Sequence, residues 1–210
     1  MYKTYSSSNI TSLCDDLVVL EPIFGNIIKA FGYPDLYLRP ATFESLLRII
    51  LEQQVSLASA KAAYLKLLQK VGNITPENIL SLHDDELKAC YLSRQKTIYV
   101  RALAYEIIHN SLVISNLNTL GDIEVRTQLT AIKGIGNWTA DVFLMMCLQR
   151  CDLFPIGDIA LVNSFKKHFE LPKETPSTTL LDIAESWKPL RSIATIMLWH
   201  AYIKERGIVM

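Results

Sequence analysis

Two glycines set two residues apart, in Ile132-Lys133-Gly134-Ile135-Gly136-Asn137, constrain the fold of this chain more than any other feature. Glycine adopts backbone angles that other residues resist. Successive N–H groups in such a turn come to the surface and can point at one anion. A polar helical pattern precedes the turn, over about Asp122 to Ile132. A strongly apolar one follows, from Trp138 to about Arg150. The start of that second helix adds the positive end of its dipole. The stretch therefore reads as a helix-hairpin-helix that grips a phosphate whatever bases it carries. A loop with Pro155 and Gly157 follows, and Asp158 closes it.

The remaining pattern is helical. The spacing of apolar residues predicts a helix over 15–31 broken at Pro22, one from Phe43 capped by Thr42, and one over 57–71 between Ser56 and Gly72. Further helices are expected after Thr75-Pro76, from His83 or Asp84, over 94–109 capped by Ser93, after Asp158, over 179–187 and over 189–206, with 115–118 as a loop. No alternating run suggests a strand. The expectation is an all-α chain of roughly ten helices.

Composition narrows the classes. The chain has 210 residues, 21 basic and 21 acidic, with a sequence pI of about 6.9. Dedicated nucleic-acid-binding domains commonly exceed a pI of ~9. Contact with DNA must then come from local geometry. Apolar runs are too short to span a membrane. Cys14, Cys90, Cys147 and Cys151 are scattered, and no signal peptide precedes them, so they read as reduced intracellular thiols. Neither they nor the dispersed histidines have metal-ligand spacing.

Some residues carry two readings. Asp158 is a good helix N-cap. It is also an acid placed to act beside the backbone the hairpin would hold. Trp138 and Trp199 read as core anchors, and Trp187 as packing. Gln54, in Glu52-Gln53-Gln54-Val55-Ser56, lies between two helices. Lys133, Arg94, Lys96 and Arg191 are either solvated charges or phosphate contacts.

GIGNWTADVFL followed by FPIGD resembles the helix-hairpin-helix (HhH-GPD) DNA glycosylase superfamily. LRIILEQQVSLASAKAAYLKL, YLSRQKTIYVRALA and AESWKPLRSIATIMLWHAY are similar to its 3-methyladenine DNA glycosylase II (AlkA-like) branch. The likeness covers about residues 40–205. It implies two helical lobes with a cleft between them: a segment 1–41 packing with the C-terminal lobe, a helical barrel over 42–155 with the hairpin motif at about 122–150, and C-terminal helices over 156–210. Only about forty residues precede the first shared helix, so the branch's N-terminal β lobe is not expected. The usual hairpin proline is replaced by Lys133, which should loosen the turn.

The resemblance assigns roles. Asp158 becomes the catalytic aspartate, Trp199 and Trp138 walls of the base pocket, and Gln54 the wedge that fills the gap left by a flipped nucleotide. Lys133, Gly134, Gly136, Asn137 and Thr139 become contacts to the DNA backbone. Carbonyls of Thr130, Ile132 and Ile135 would hold a monovalent cation, Na⁺ or K⁺. In strand-cutting relatives a lysine stands where Trp138 stands, so no lyase step is expected. Iron–sulfur members carry four cysteines after the aspartate-bearing segment; here all four precede Asp158, so no cluster is expected.

The implied activity is hydrolytic release of alkylated purines (3-methyladenine, 7-methylguanine) from damaged duplex DNA, leaving an abasic site. An indole face suits a cationic base, and selectivity would come from the weakened bond and easier unstacking. The alternatives are a glycosylase for oxidised or deaminated purines and a non-catalytic DNA-binding protein. The expected state is a monomer without membrane contact or required cofactor, cytoplasmic and nucleoid-associated in a bacterium, or nuclear in a eukaryote.

Overall fold

Twelve α-helices and one 3₁₀ turn account for the regular structure of residues 4–208, the residues described by this computed structural model. In order they are α1 Ile10–Leu20, α2 Ile23–Phe31, α3 Phe43–Glu52, α4 Leu57–Val71, α5 Pro76–Ser81, α6 Asp84–Ala89, α7 Arg94–Ile108, the 3₁₀ turn Ile114–Thr119, α8 Asp122–Thr130, α9 Asn137–Met146, α10 Ile159–His168, α11 Ser177–Glu185 and α12 Arg191–Arg206. Among the described residues there is no strand, only an isolated bridge between Thr4 and Arg150. The fold is all-α.

The sequence signals for helix starts work through side-chain oxygens. Thr42, Ser56, Thr75 and Ser93 each accept a hydrogen bond from the backbone N–H three residues on, at Ser45, Ser59, Asn78 and Lys96. Pro76 opens α5 at its first position, and Gly72 ends α4 with a positive φ of 73°.

Several boundaries differ from expectation. The single broken helix over 15–31 is two helices, and the first begins five residues earlier, at Ile10. Asn9 precedes it, and its carboxamide oxygen accepts the Ser6 N–H at 2.7 Å, ordering the turn that leads into α1. The expected loop at 115–118 is the 3₁₀ turn, which buries Leu117. α9 stops at Met146 rather than near Arg150, and α12 starts at Arg191 rather than Pro189.

The chain divides into two compact units, Met1–Leu38 with Leu144–Met210, and Arg39–Phe143. This division falls within α9. Its last turn belongs with the N-terminal segment: Tyr5 donates its hydroxyl to the Met145 carbonyl at 2.7 Å and its N–H to the Gln149 carbonyl at 2.9 Å.

In the first unit, Trp187 is fully buried and touches Phe24, Phe154, Phe165 and Phe169, with ring centroids 4.9–5.8 Å apart. Its reading as packing holds. Around that cluster, α12 is buried almost all round and lies against α1, α2 and α10. In the second unit α3 carries the core through Leu46, Leu47, Ile49, Ile50 and Leu51, packing on α4 and α7.

Candidate functional site

In the unit that holds both chain ends, Asp158 sits at the N-cap of α10. Its Oδ1 accepts the Leu161 backbone N–H at 2.8 Å and the indole N–H of Trp199 at 3.1 Å. Two residues separated by 41 positions therefore meet on one carboxylate oxygen. Both are half-buried.

The loop that delivers Asp158 is pinned by α12. Ser192 donates its N–H to the Cys151 carbonyl at 2.9 Å and accepts the Leu153 N–H on its hydroxyl at 2.9 Å. Arg191 makes a two-pronged contact with Asp152, Nε to Oδ1 at 2.7 Å and Nη2 to Oδ2 at 3.0 Å, and reaches Glu185 at 3.1 Å. Two turns further along the same helix comes Trp199. Ser164 of α10 donates to the Leu198 carbonyl at 2.7 Å, which locks the register of α10 and α12 beside it. Trp199 also lines a small cavity of about 20 Å³ with Tyr5, Tyr37, Met146 and His200. That space holds a water-sized group, not a purine.

In the other unit, α8 and α9 flank the glycine hairpin. Arg126 of α8 donates Nε to Oδ1 of the buried Asp141 of α9 at 3.1 Å, with Nη2 on the same oxygen, bracing the two helices. The turn closes with the Ile135 N–H on the Ile132 carbonyl at 3.0 Å. Gln53 then ties the turn to the end of α3, donating to the Gly134 carbonyl at 2.9 Å and to the Thr139 hydroxyl at 2.8 Å. This cross-tie offsets the loosening expected from Lys133 in place of proline. Neither Arg126–Asp141 nor Gln53 was singled out from the sequence. Both are long-range polar pairs that periodicity does not signal.

The two glycines differ. Gly134 has φ of 93°, and a Cβ there would lie 2.1 Å from Cγ of Tyr99. Gly136 has no left-handed φ, and a Cβ there would meet nothing within 4 Å. Only the first is required by the chain itself. Lys133, Gly136 and Asn137 are exposed, and Trp138, the second residue of α9, is half-buried. Gln54 is exposed and holds a left-handed φ of 55° between α3 and α4.

Some expected phosphate contacts are otherwise engaged. Thr139 is 1% exposed as a whole residue and its hydroxyl accepts from Gln53, so its side chain is turned into the protein rather than toward a phosphate. Arg191 spends its guanidinium on Asp152 and Glu185. Lys96 folds its ammonium onto the Leu51 carbonyl, and burial holds its pKa below the usual lysine range. Arg94 is exposed at the start of α7. The backbone bonds that close the hairpin leave the Thr130 and Ile135 carbonyls out, and Ile132 accepts one N–H, leaving its second lone pair. Carbonyl oxygens are donors of the kind hard cations take.

The hairpin with its braced helices and the capped aspartate together have the pattern of one protein family. Residues 47–189 match the model described as HhH-GPD superfamily base excision DNA repair protein. The chain belongs to that superfamily. It is 28% identical over 185 residues to a DNA-3-methyladenine glycosylase of Bacillus subtilis, covering 82% of this chain and 59% of that protein. The chain spans about three fifths of the length of the two Bacillus subtilis relatives it matches. Among solved structures, it is similar to Schizosaccharomyces pombe 3-methyladenine DNA glycosylase (Mag1) in complex with abasic DNA. There the TM-score is 0.82 at 26% identity, over 90% of this chain and 95% of that one. A DNA-3-methyladenine glycosidase from Bacillus halodurans superposes with a TM-score of 0.78 at 28% identity, over 99% of this chain and 95% of that one.

Proposed function

We propose that this HhH-GPD chain is a base-excision DNA glycosylase that hydrolytically removes alkylated purines, 3-methyladenine and 7-methylguanine, from duplex DNA and leaves an abasic site. The observation that carries the reading is the pairing of Asp158 with Trp199: one carboxylate and one aromatic ring fixed together on two locked helices. The names of its relatives, 3-methyladenine glycosylases from bacteria and yeast, support the same substrate class.

The division of labour follows from the chemistry. The exposed N–H groups at the hairpin and the start of α9 take a phosphate, with Lys133 beside them and the open flank of Gly136 admitting close approach. Thr130, Ile132 and Ile135 carbonyls would hold Na⁺ or K⁺, which supplies positive charge to a phosphate oxygen. Gln54, projected by its left-handed backbone, enters the stack and replaces the extruded nucleotide. The Trp199 face attracts a cationic methylated purine by about 0.5–2 kcal/mol. Asp158 presents its carboxylate to the sugar as the glycosidic bond lengthens, and orients the attacking water.

The reaction ends in hydrolysis because α9 contains no lysine and begins Asn137-Trp138-Thr139. No amine stands there to attack the sugar.

The test is incubation of the protein with methylated duplex DNA. Free 3-methyladenine and 7-methylguanine are expected, with strand breaks appearing only after added base or heat. Failure to release any base from a panel of alkylated, oxidised and deaminated duplexes overturns the glycosylase reading. Strand scission by the protein alone overturns the hydrolytic one.

A further inference from the structure

We infer that Trp199 is a positioning residue as well as a wall: its indole N–H fixes the orientation of the Asp158 carboxylate, so that base capture and aspartate geometry are coupled through one side chain. The inference rests on the glycosylase reading above.

Asp158 Oδ1 receives two donors from different elements, the Leu161 N–H of its own helix at 2.8 Å and the Trp199 Nε1–H of α12 at 3.1 Å. A carboxylate bonded from its own helix alone is less constrained than one also bonded from a second helix. Two donors converging on one oxygen from separate helices define where the group lies. Bonds to a charged acceptor are stronger than neutral ones, and preorganisation of a charge facing a developing cation is what such a site uses.

The supports of Trp199 are themselves held. Ser164 bonds the Leu198 carbonyl, one residue before Trp199, and Ser192 ties the start of α12 to the loop that ends at Asp158. The indole and the aspartate are thus referenced to the same two helices. The hydrogen bond uses the edge of the indole, in the plane of the ring. Its faces remain the surface on which a base would stack. A base pressed on a face restricts rotation of the indole and, through the N–H, of the carboxylate. An aromatic residue chosen for stacking alone would have no need of a donor. Phenylalanine also supplies an aromatic face, with a weaker pull on a cation.

The decisive variant is Trp199→Phe, which keeps an aromatic face and removes the donor. In single-turnover assays on 7-methylguanine duplex DNA the rate constant should fall about tenfold or more. The half-saturating protein concentration should change much less than the rate constant, because binding does not use the N–H; the smaller ring should lower the melting temperature somewhat, so rates are compared well below the melt. A rate within about twofold of wild type, or a loss confined to half-saturation, would overturn the coupling.

A second measurement is independent of activity. In ¹⁵N spectra the Trp199 indole signal, assigned as the one missing in Trp199→Phe, should move upfield in Asp158→Ala while those of Trp138 and Trp187 stay. An unmoved Trp199 signal would refute the hydrogen bond. A wild type that releases no base, with the indole signal still responding to Asp158→Ala, would sink the glycosylase reading and leave the geometry standing.

Discussion

Gln53 donates its side-chain amide to the Gly134 carbonyl, 81 residues away, at 2.9 Å. The same nitrogen reaches Thr139 Oγ1 on the far side of the turn. One side chain at the end of α3 thus holds both arms of the hairpin. Gln53→Leu should lower stability by about 1–3 kcal/mol, because the buried Thr139 hydroxyl and the Gly134 carbonyl lose their donor. Affinity for undamaged duplex DNA should fall with it. Denaturant melts and fluorescence anisotropy check both, and unchanged affinity would show that the turn keeps its shape unaided.

The neighbouring residue separates structure from function. Gln54 is exposed in a left-handed conformation. Gln54→Ala should leave the melt within about 0.5 kcal/mol. It should slow release of 7-methylguanine from duplex DNA more than from single strands, since only the duplex has a gap to fill. Equal slowing on both substrates would remove the wedge role.

The two hairpin glycines should behave oppositely. Gly134→Ala forces a Cβ into the Tyr99 ring and keeps a left-handed φ, so it should destabilise by several kcal/mol, of order 2–4. Gly136→Ala meets nothing in the chain and should melt like wild type, yet weaken DNA binding by crowding the phosphate. Wild-type DNA affinity in Gly136→Ala would mean that nothing approaches that flank.

The contrast between these glycines shows what was legible beforehand. The Gly-x-Gly spacing identified a turn, because two local residues are enough to make one. It did not reveal which glycine the chain needs, since that depends on Tyr99, 35 residues upstream. Caps at Thr42, Ser56, Ser93 and Asp158 were readable for the same local reason. Basic residues were not. Lys96 and Arg191 look like phosphate ligands in one dimension, and only folding shows that a carbonyl and two carboxylates have taken them. Asp158 and Trp199 were each singled out, but their hydrogen bond joins α10 to α12 and has no sequence signature.

Stability should fall on mild acidification through His168. Burial holds its pKa below the usual histidine value of 6.5, the effect of the nearby Lys167 adding to this and that of Glu205, 3.4 Å from Nε2, opposing it. The unfolded chain then takes up the proton first. Below pH 6.5 the unfolded state binds more protons than the folded one, so stability drops until the folded pKa is passed and then levels off. Above pH 6.5 this contribution is fully present. His168→Gln should flatten that part of the profile in urea melts taken from pH 7.5 downward. A variant with the wild-type slope would place the acid sensitivity elsewhere.

Asp158 is both cap and candidate catalyst, and two substitutions divide the roles. Asparagine caps a helix about as well as aspartate, and its carbonyl can accept from Leu161 and Trp199 as Oδ1 does now. Asp158→Asn should therefore melt within about 0.5 kcal/mol of wild type, while Asp158→Ala should lose about 1 kcal/mol. Base release should fall in both by about 10²-fold or more, because both remove the charge that opposes the developing cation on the sugar. Binding to duplex DNA should persist or tighten, since an anion beside the phosphodiester chain is gone. An Asp158→Asn protein that releases 7-methylguanine at the wild-type rate would leave Asp158 as a cap alone. Loss of activity that merely followed the melt across the two variants would point to the same conclusion, because a catalytic carboxylate must separate charge from fold.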